Sequence, residues 1–222
     1  WGREAVLSML LLLAARHHKT AALFLVFALI NLFQIFPLYL QAQKTPPASA
    51  LKLRVTLINV NTKLGDAAKV SEFIRQADPD LLVLQETSPD GFKLAWLHTP
   101  YPHSLAEPRD DNFGIAVFSK LPFARSEVVS LLENGVPSII AEVITKHGEL
   151  HILATHPLPP VNSDYAGWRN AQLEQLPRFV DATKPTLLIR DLNITPWNHH
   201  FRKLLQQTGL LDSARGFGVQ PS

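Results

Sequence analysis

The sequence predicts an α/β domain behind an apolar N-terminal region, and three observations carry that prediction. Residues 51–84 read as strand, helix, strand; residues 113–156 read as strands in succession; and residues 186–197 read as a buried strand that breaks into a polar strand-to-helix turn. In each case the apolar run stops on a side chain able to bind a ligand or move a proton.

The N-terminal region comes first in the chain. Residues 5–15 are apolar apart from Ser8, Arg16 to Lys19 are polar and basic, and residues 20–40 are apolar except for Thr20, Asn31 and Gln34. The second run is long enough to span a bilayer, and it has no polar face of the kind a buried core helix would keep toward water. A signal peptide is the rival reading. It fits less well, because the run is longer than a signal core and Gln41 to Lys44 offers no small-residue cleavage site. Residues 1–40 are therefore read as a transmembrane region with a partial span at 5–15 and a full span at 20–40. Residues 41–50, with Pro46 and Pro47, are read as a linker, and residues 51–222 as the domain. The short basic loop at Arg16 to Lys19 places that loop in the cytoplasm. The domain would then face outward from an inner or plasma membrane, on the periplasmic or extracellular side.

Within the domain, Leu51, Leu53, Val55 and Leu57 alternate with Lys52, Arg54 and Thr56, a strand pattern that ends at Asn59. Asp66 is placed to cap a helix whose apolar face is Val70, Phe73, Ile74 and Ala77, and Asp78-Pro79-Asp80 should end it. A second strand at 81–84 ends in Gln85 and Glu86, as in a parallel crossover. Strands are then expected at 114–119, around Val128 and Val129, at 138–145 and at 149–156, antiparallel to one another, with Lys146-His147-Gly148 as a hairpin turn. Residues 164–181 should be mostly helical, with Trp168, Leu176 and Phe179 buried and Pro177 dividing the helix. After the strand at 186–189, Thr195 is a good N-cap and Pro196 suits a first helical position, so a helix with Phe201, Leu204 and Leu205 on one face should follow.

Composition limits the chemistry. With 46% hydrophobic and 18% charged residues, the chain suits one sizeable domain and a more apolar segment. The absence of cysteine excludes disulfides, zinc–thiolate sites and thiol nucleophiles. A net charge of +2 gives no argument for nucleic acid, and Arg54, Lys63, Lys69, Lys93, Lys120 and Lys146 are scattered over different elements. The 17 prolines imply many fixed turns.

Four strand ends carry Asn59, Glu86, His156, and Asp191 with Asn193. Each has an ordinary explanation alone: a solvated glutamate, a turn histidine before Pro157, an Asp-x-Asn cap. Together they suit phosphoester chemistry. Oxygen ligands from Glu86 and Asn59 match a hard cation such as Mg²⁺, Asp191 could orient or deprotonate water, and His156 with Asn193 could donate hydrogen bonds to phosphoryl oxygens.

The blocks LRVTLINV, DPDLLVLQET, FGIAVFSKLPF, ATHPLPP and LLIRDLNITP resemble, in order and spacing, the signature blocks of the endonuclease/exonuclease/phosphatase superfamily. That superfamily includes deoxyribonuclease-like enzymes, abasic-site endonucleases, neutral sphingomyelinases and inositol-phosphate phosphatases. The resemblance covers residues 51–222 and implies a four-layered α/β sandwich of two mixed sheets with the site at their shared edge. It implies Glu86 and Asn59 as metal ligands for Mg²⁺, or Mn²⁺ in its place. It implies His156 as a phosphate contact, Asp191 as the residue positioning the attacking water, and Asn193 as a contact to the scissile phosphate, the last two catalytic with His156. The implied substrate is a phosphate ester: nucleic acid, a phospholipid head group or a small phosphoester. No protein partner is indicated, and an apolar segment ahead of such a domain is similar to membrane-anchored bacterial members.

Two positions depart from the pattern. Arg190 stands where the family has glycine, and would either crowd the turn or point to solvent. The family's closing Asp-His pair has no counterpart, since no Asp-His dipeptide occurs and His199 and His200 fall in the helix expected after Pro196. The chain thus reads as a fragment cut at both ends and lacking the last strand. Two function classes follow: a Mg²⁺-dependent phosphoesterase using activated water, or a membrane-anchored, non-catalytic binding domain that keeps the fold.

Overall fold

The computed structural model describes residues 2–36, 39, 47–61, 65–89, 94–133, 135–181 and 183–217. In chain order its elements are α1 (Gly2–Ala14), α2 (His18–Ile35), β1 (Val55–Asn59), α3 (Ala67–Ala77), β2 (Leu81–Gln85), β3 (His103–Glu107), β4 (Ile115–Ser119), β5 (Phe123–Ser130), β6 (Pro137–Thr145), β7 (Gly148–Thr155), α4 (Ser163–Gln175), β8 (Thr186–Arg190) and α5 (His199–Thr208). Short 3-10 helices cover Leu94–His98 and Leu176–Phe179. The residues group into two compact units, Trp1–Ala48 with Leu211–Ser222, and Ser49–Leu210.

In the first unit α1 and α2 lie against each other. Ala21 is buried, whereas Leu11, Leu25 and Phe33 are exposed. Among the described residues α2 is the one helix long and apolar enough to cross a membrane, a property that anchors and signal segments share. The far end of the expected span, at Pro37, Leu38 and Leu40, and most of the expected linker (residues 41–46) lie outside the described residues.

The second unit is built on two four-stranded mixed sheets. One has the order β1-β2-β4-β3, with β1 parallel to β2 and β4 antiparallel to both β2 and β3. The other has the order β5-β6-β7-β8, antiparallel through β7 and parallel between β7 and β8. Alternate residues of each strand face opposite sides, and the burial follows that rule. Leu81 and Val83 point at Ile139, Ala141, Ile152 and Ala154 between the sheets. Leu82 and Leu84 point the other way, onto Ile74 of α3 and onto Leu97 and Tyr101. Leu153 and Leu188 cover the outer face of the second sheet with Leu173, Leu176, Phe201 and Leu204. The layers are therefore helix, sheet, sheet, helix. A fully buried leucine or isoleucine gains about 1.5–3 kcal/mol over an exposed one, so β2, buried on both faces, reads as an unbroken apolar run.

Several expectations are met and several corrected. Asp66 caps α3, accepting from the amides of Ala68 and Lys69, and Asp78 ends it in a left-handed conformation. The first strand starts at Val55 rather than Leu51, because the Arg54 amide is taken by the Asp80 carboxylate at 2.8 Å instead of a ladder. Phe73 is 53% exposed: the inward stripe of α3 runs through Val70 and Ile74, and Phe73 lies beside it. Trp168 is likewise 47% exposed, since the buried stripe of α4 is Arg169, Gln172 and Leu173. Pro177 converts the end of α4 into a 3-10 turn. Asn198, not Thr195, caps α5, accepting from the His200 amide at 2.9 Å, while Thr195 and Pro196 sit in the preceding turn. The successive strands do not form one antiparallel set, because β4 pairs with β2 and β3 in the first sheet and β5 opens the second.

Candidate functional site

Two parallel strand pairs, one per sheet, place the polar residues. In the first sheet Asn59 is registered with Gln85, so the side chains at the carboxyl ends of β1 and β2 are neighbours. The Asn59 Nδ2 donates to Glu86 Oε1 at 2.6 Å, and its Oδ1 accepts from the Asn61 amide at 3.0 Å. Glu86 has φ +59, a left-handed conformation uncommon outside glycine, which turns the chain sharply as β2 ends. In the second sheet Thr155 is registered with Arg190, so the next residues, His156 and Asp191, leave adjacent strands together.

A buried bond ties the two pairs. Gln85 Nε2 donates to the Thr155 carbonyl oxygen at 3.0 Å across the space between the sheets, and the Thr155 hydroxyl is 2.8 Å from that of Ser138. Four strand ends from two sheets thereby meet at one edge.

His156 is the buried member, 4% exposed, with its ring 6.2 Å from that of Phe113 and no protein partner for Nδ1. Burial pushes its pKa below the ordinary 6.5, while the negative charges of Asp191 and then Glu86 pull it back up. Both carboxylates are therefore close enough to act on one imidazole. Desolvation dominates, so the ring is neutral at pH 7. The expected result of an NMR titration is a His156 midpoint below 6.5; a midpoint at or above 6.5 would mean that the carboxylates win. The sign for stability follows. A histidine whose folded pKa is depressed favours the folded state above 6.5, and that contribution is lost as pH falls toward the folded value.

Asp191 is exposed and accepts the Asn193 amide on Oδ1 at 2.9 Å. Asn193 itself has φ +50, and its Nδ2 donates to the Pro157 carbonyl oxygen at 2.9 Å, joining the exit of β8 to the exit of β7. The half-buried Arg190 places its guanidinium carbon 4.5 Å from the centre of the Phe201 ring, a cation–π contact on α5. His200 faces Glu174 of α4 at 3.9 Å, in the layer outside the second sheet.

Among the described residues no three His, Cys, Asp or Glu side chains converge. A cation at Glu86 would be held by that carboxylate and water, with the Asn59 amide oxygen joining once the amide turned over, since Nδ2 faces Glu86 and Oδ1 faces the Asn61 amide. That donor set fits Mg²⁺, which takes one or two carboxylates and keeps several waters.

Sequence reasoning assigned no role to Gln85, Thr155, Arg169 or Gly114. Gln85 and Thr155 carried a visible signal, an uncharged polar residue closing an apolar strand; Arg169 carried none. Gly114 is required by close approach, because a Cβ there would meet the Thr87 carbonyl oxygen at 1.8 Å and the Arg109 amide at 2.7 Å. Gly114→Ala is expected to destabilise the fold by about 1–3 kcal/mol or more, read as a lowered Tm. An unchanged Tm would show that the loop after Glu86 yields freely.

Comparison with known proteins gives a consistent result. The model of the endonuclease/exonuclease/phosphatase family matches residues 57–222. Among solved structures, the chain is similar to an endonuclease/exonuclease/phosphatase from Beutenbergia cavernae, with 25% identity, a TM-score of 0.55 and coverage of 66% of this chain and 48% of that one. It is similar to sphingomyelinase C from Streptomyces griseocarneus, with 18% identity, a TM-score of 0.60 and coverage of 74% and 72%. It is also similar to D. rerio TDP2 complexed with single strand DNA product, with 17% identity, a TM-score of 0.57 and coverage of 68% and 64%. The chain spans about half the length of the Beutenbergia protein. No curated protein matches it by sequence.

Proposed function

We propose, because this chain belongs to the endonuclease/exonuclease/phosphatase family, that its strand-end site hydrolyses a phosphodiester or phosphomonoester with a divalent cation, Mg²⁺ or Mn²⁺. The observation that carries the reading is the meeting of four strand ends at one edge, with Asn59 bonded to Glu86 in one sheet, His156 and Asp191 leaving registered strands in the other, and Gln85 tied to the Thr155 carbonyl oxygen between them. Glu86 and Asn59 would hold the cation, which supplies Lewis-acid polarisation and neutralises charge on the phosphoryl group.

The remaining steps belong to the chain's own side chains. Asp191 is the exposed carboxylate beside the site, and it accepts the proton of the attacking water or orients that water in line with the leaving group. His156, neutral and desolvated, donates one ring N–H to a phosphoryl oxygen, where a buried donor counts for more than one in water. Asn193 spends one side-chain N–H on Pro157 and has a second to direct at the phosphate. The stacking of Arg190 on Phe201 supports the enzyme over the non-catalytic alternative, because the residue that departs from the family pattern lies against α5. The test is an assay of the intact protein with Mg²⁺ on DNA, RNA, sphingomyelin and inositol phosphates, with and without chelator. Turnover of none of them would sink the reading.

The apolar α2 supports a further proposal, that residues 1–40 anchor the chain in a membrane, residues 41–50 link it, and the domain from residue 51 faces away from the cytoplasm. A reporter active only in the cytoplasm, fused after Leu51, should stay dark; a bright signal would reverse the orientation.

A further inference from the structure

We propose that Arg169 is the positioning residue of this site: its buried guanidinium, reaching in from α4, holds the turn at residues 191–193 in the geometry the reaction needs. This rests on the phosphoesterase reading for its consequence, but its geometry stands apart from that reading.

Arg169 is 7% exposed, which is rare for arginine and ordinarily requires a carboxylate partner. Here its partners are neutral oxygens. Nη1 donates to the Asn193 carbonyl oxygen at 2.6 Å, and Nη2 and Nε donate to Asn170 Oδ1 at 2.9 and 3.1 Å. Asn170 thus fixes two nitrogens of the planar fork, leaving Nη1 aimed at one backbone atom. That atom belongs to a residue with φ +50, a conformation that asparagine tolerates but does not prefer, so something must hold it. The Asn193 amide is bonded to Asp191 Oδ1 and its side chain to the Pro157 carbonyl, so a shift at its carbonyl reaches both the proposed water-orienting carboxylate and the exit of β7. One turn further along α4, the buried Gln172 accepts the Leu158 amide at 3.2 Å. The polar stripe of α4 therefore grips both strand exits, Leu158 after β7 and Asn193 after β8. A stripe serving only to pack the helix on the sheet would be apolar, as Leu173 and Leu176 are.

The test uses Arg169→Met, which fills the space without a donor, and Arg169→Lys, which keeps the charge but not the fork, in the intact protein. The first readout is hydrogen exchange. The Asn193 amide should lose protection by about tenfold or more, while the amides of Ile152 and Leu153 in β7 exchange as in the wild type; unchanged protection at Asn193 overturns the proposal whether or not the protein is an enzyme. The second readout is turnover of whichever substrate among DNA, RNA, sphingomyelin and inositol phosphates is hydrolysed. The expected result is kcat lower by about 10- to 100-fold with KM within about threefold, and almost no further loss when the change is made in an Asp191→Asn background. Equal fold-losses in the two backgrounds would assign Arg169 to general stability and overturn the positioning role. If Arg169→Met melts far below the wild type, Arg169→Lys carries both readouts, and if neither folds the proposal falls. If the wild type turns over none of the four, the function reading fails, and hydrogen exchange still decides whether Arg169 holds the turn.

Discussion

Asp191→Asn is expected to lower turnover by about 10²- to 10⁴-fold at saturating Mg²⁺, the usual cost of losing a general base, with little change in Tm. The asymmetry comes from what the side chain does in the fold. Its Oδ1 accepts the Asn193 amide at 2.9 Å, and an asparagine oxygen can accept the same bond. Asn and Asp are near-equal caps, so the stability change should be at most a few tenths of a kcal/mol, roughly. The charge has no such substitute. In the proposed reaction it takes or directs the water's proton, and it is the first of the two carboxylates holding up the pKa of His156. The same variant should therefore lower the His156 titration midpoint further, a readout independent of turnover. Turnover within about threefold of the wild type would reduce Asp191 to a turn residue.

Glu86→Gln should act on the cation instead. The isosteric amide keeps an oxygen for Asn59 Nδ2, now 2.6 Å from Glu86 Oε1, and faces the same left-handed backbone, so the fold should survive. What goes is the one anionic ligand of the proposed cation site, which would otherwise offer an amide oxygen and water. A hard cation held so sparely should lose affinity by at least about tenfold, the lower end of what even outer-shell changes cost at metal sites. The expected pattern is a strong loss of turnover at limiting Mg²⁺ that is partly recovered at high Mg²⁺. An unaltered Mg²⁺ dependence would remove Glu86 from the ligand set. The two variants separate the roles, since excess Mg²⁺ should do nothing for Asp191→Asn.

The sequence by itself determined most of the elements and the polar residues that close four of the strands. Apolar periodicity and its abrupt stops located β1, β2, β7 and β8, and therefore Asn59, Glu86, His156, Asp191 and Asn193, because a strand that is buried up to its last residue must change character where it meets water. The cap at Asp66 and the division at Pro177 were legible for the same local reason: each depends on the chemistry of one residue and its near neighbours. Tertiary structure decided whatever depends on which elements meet. Strand periodicity does not say which sheet a strand joins, so the placement of β4 beside β2 and the existence of β3 came only with the pairing. Helix periodicity marks an apolar stripe but not a buried polar one, so Arg169 and Gln172 turned inward and Trp168 outward, each inward group satisfied by a backbone atom far along the chain. The site depends on the same kind of contact. Its four strand ends are neighbours because Gln85 reaches Thr155 across two sheets, a bond between residues 70 apart that no local pattern encodes.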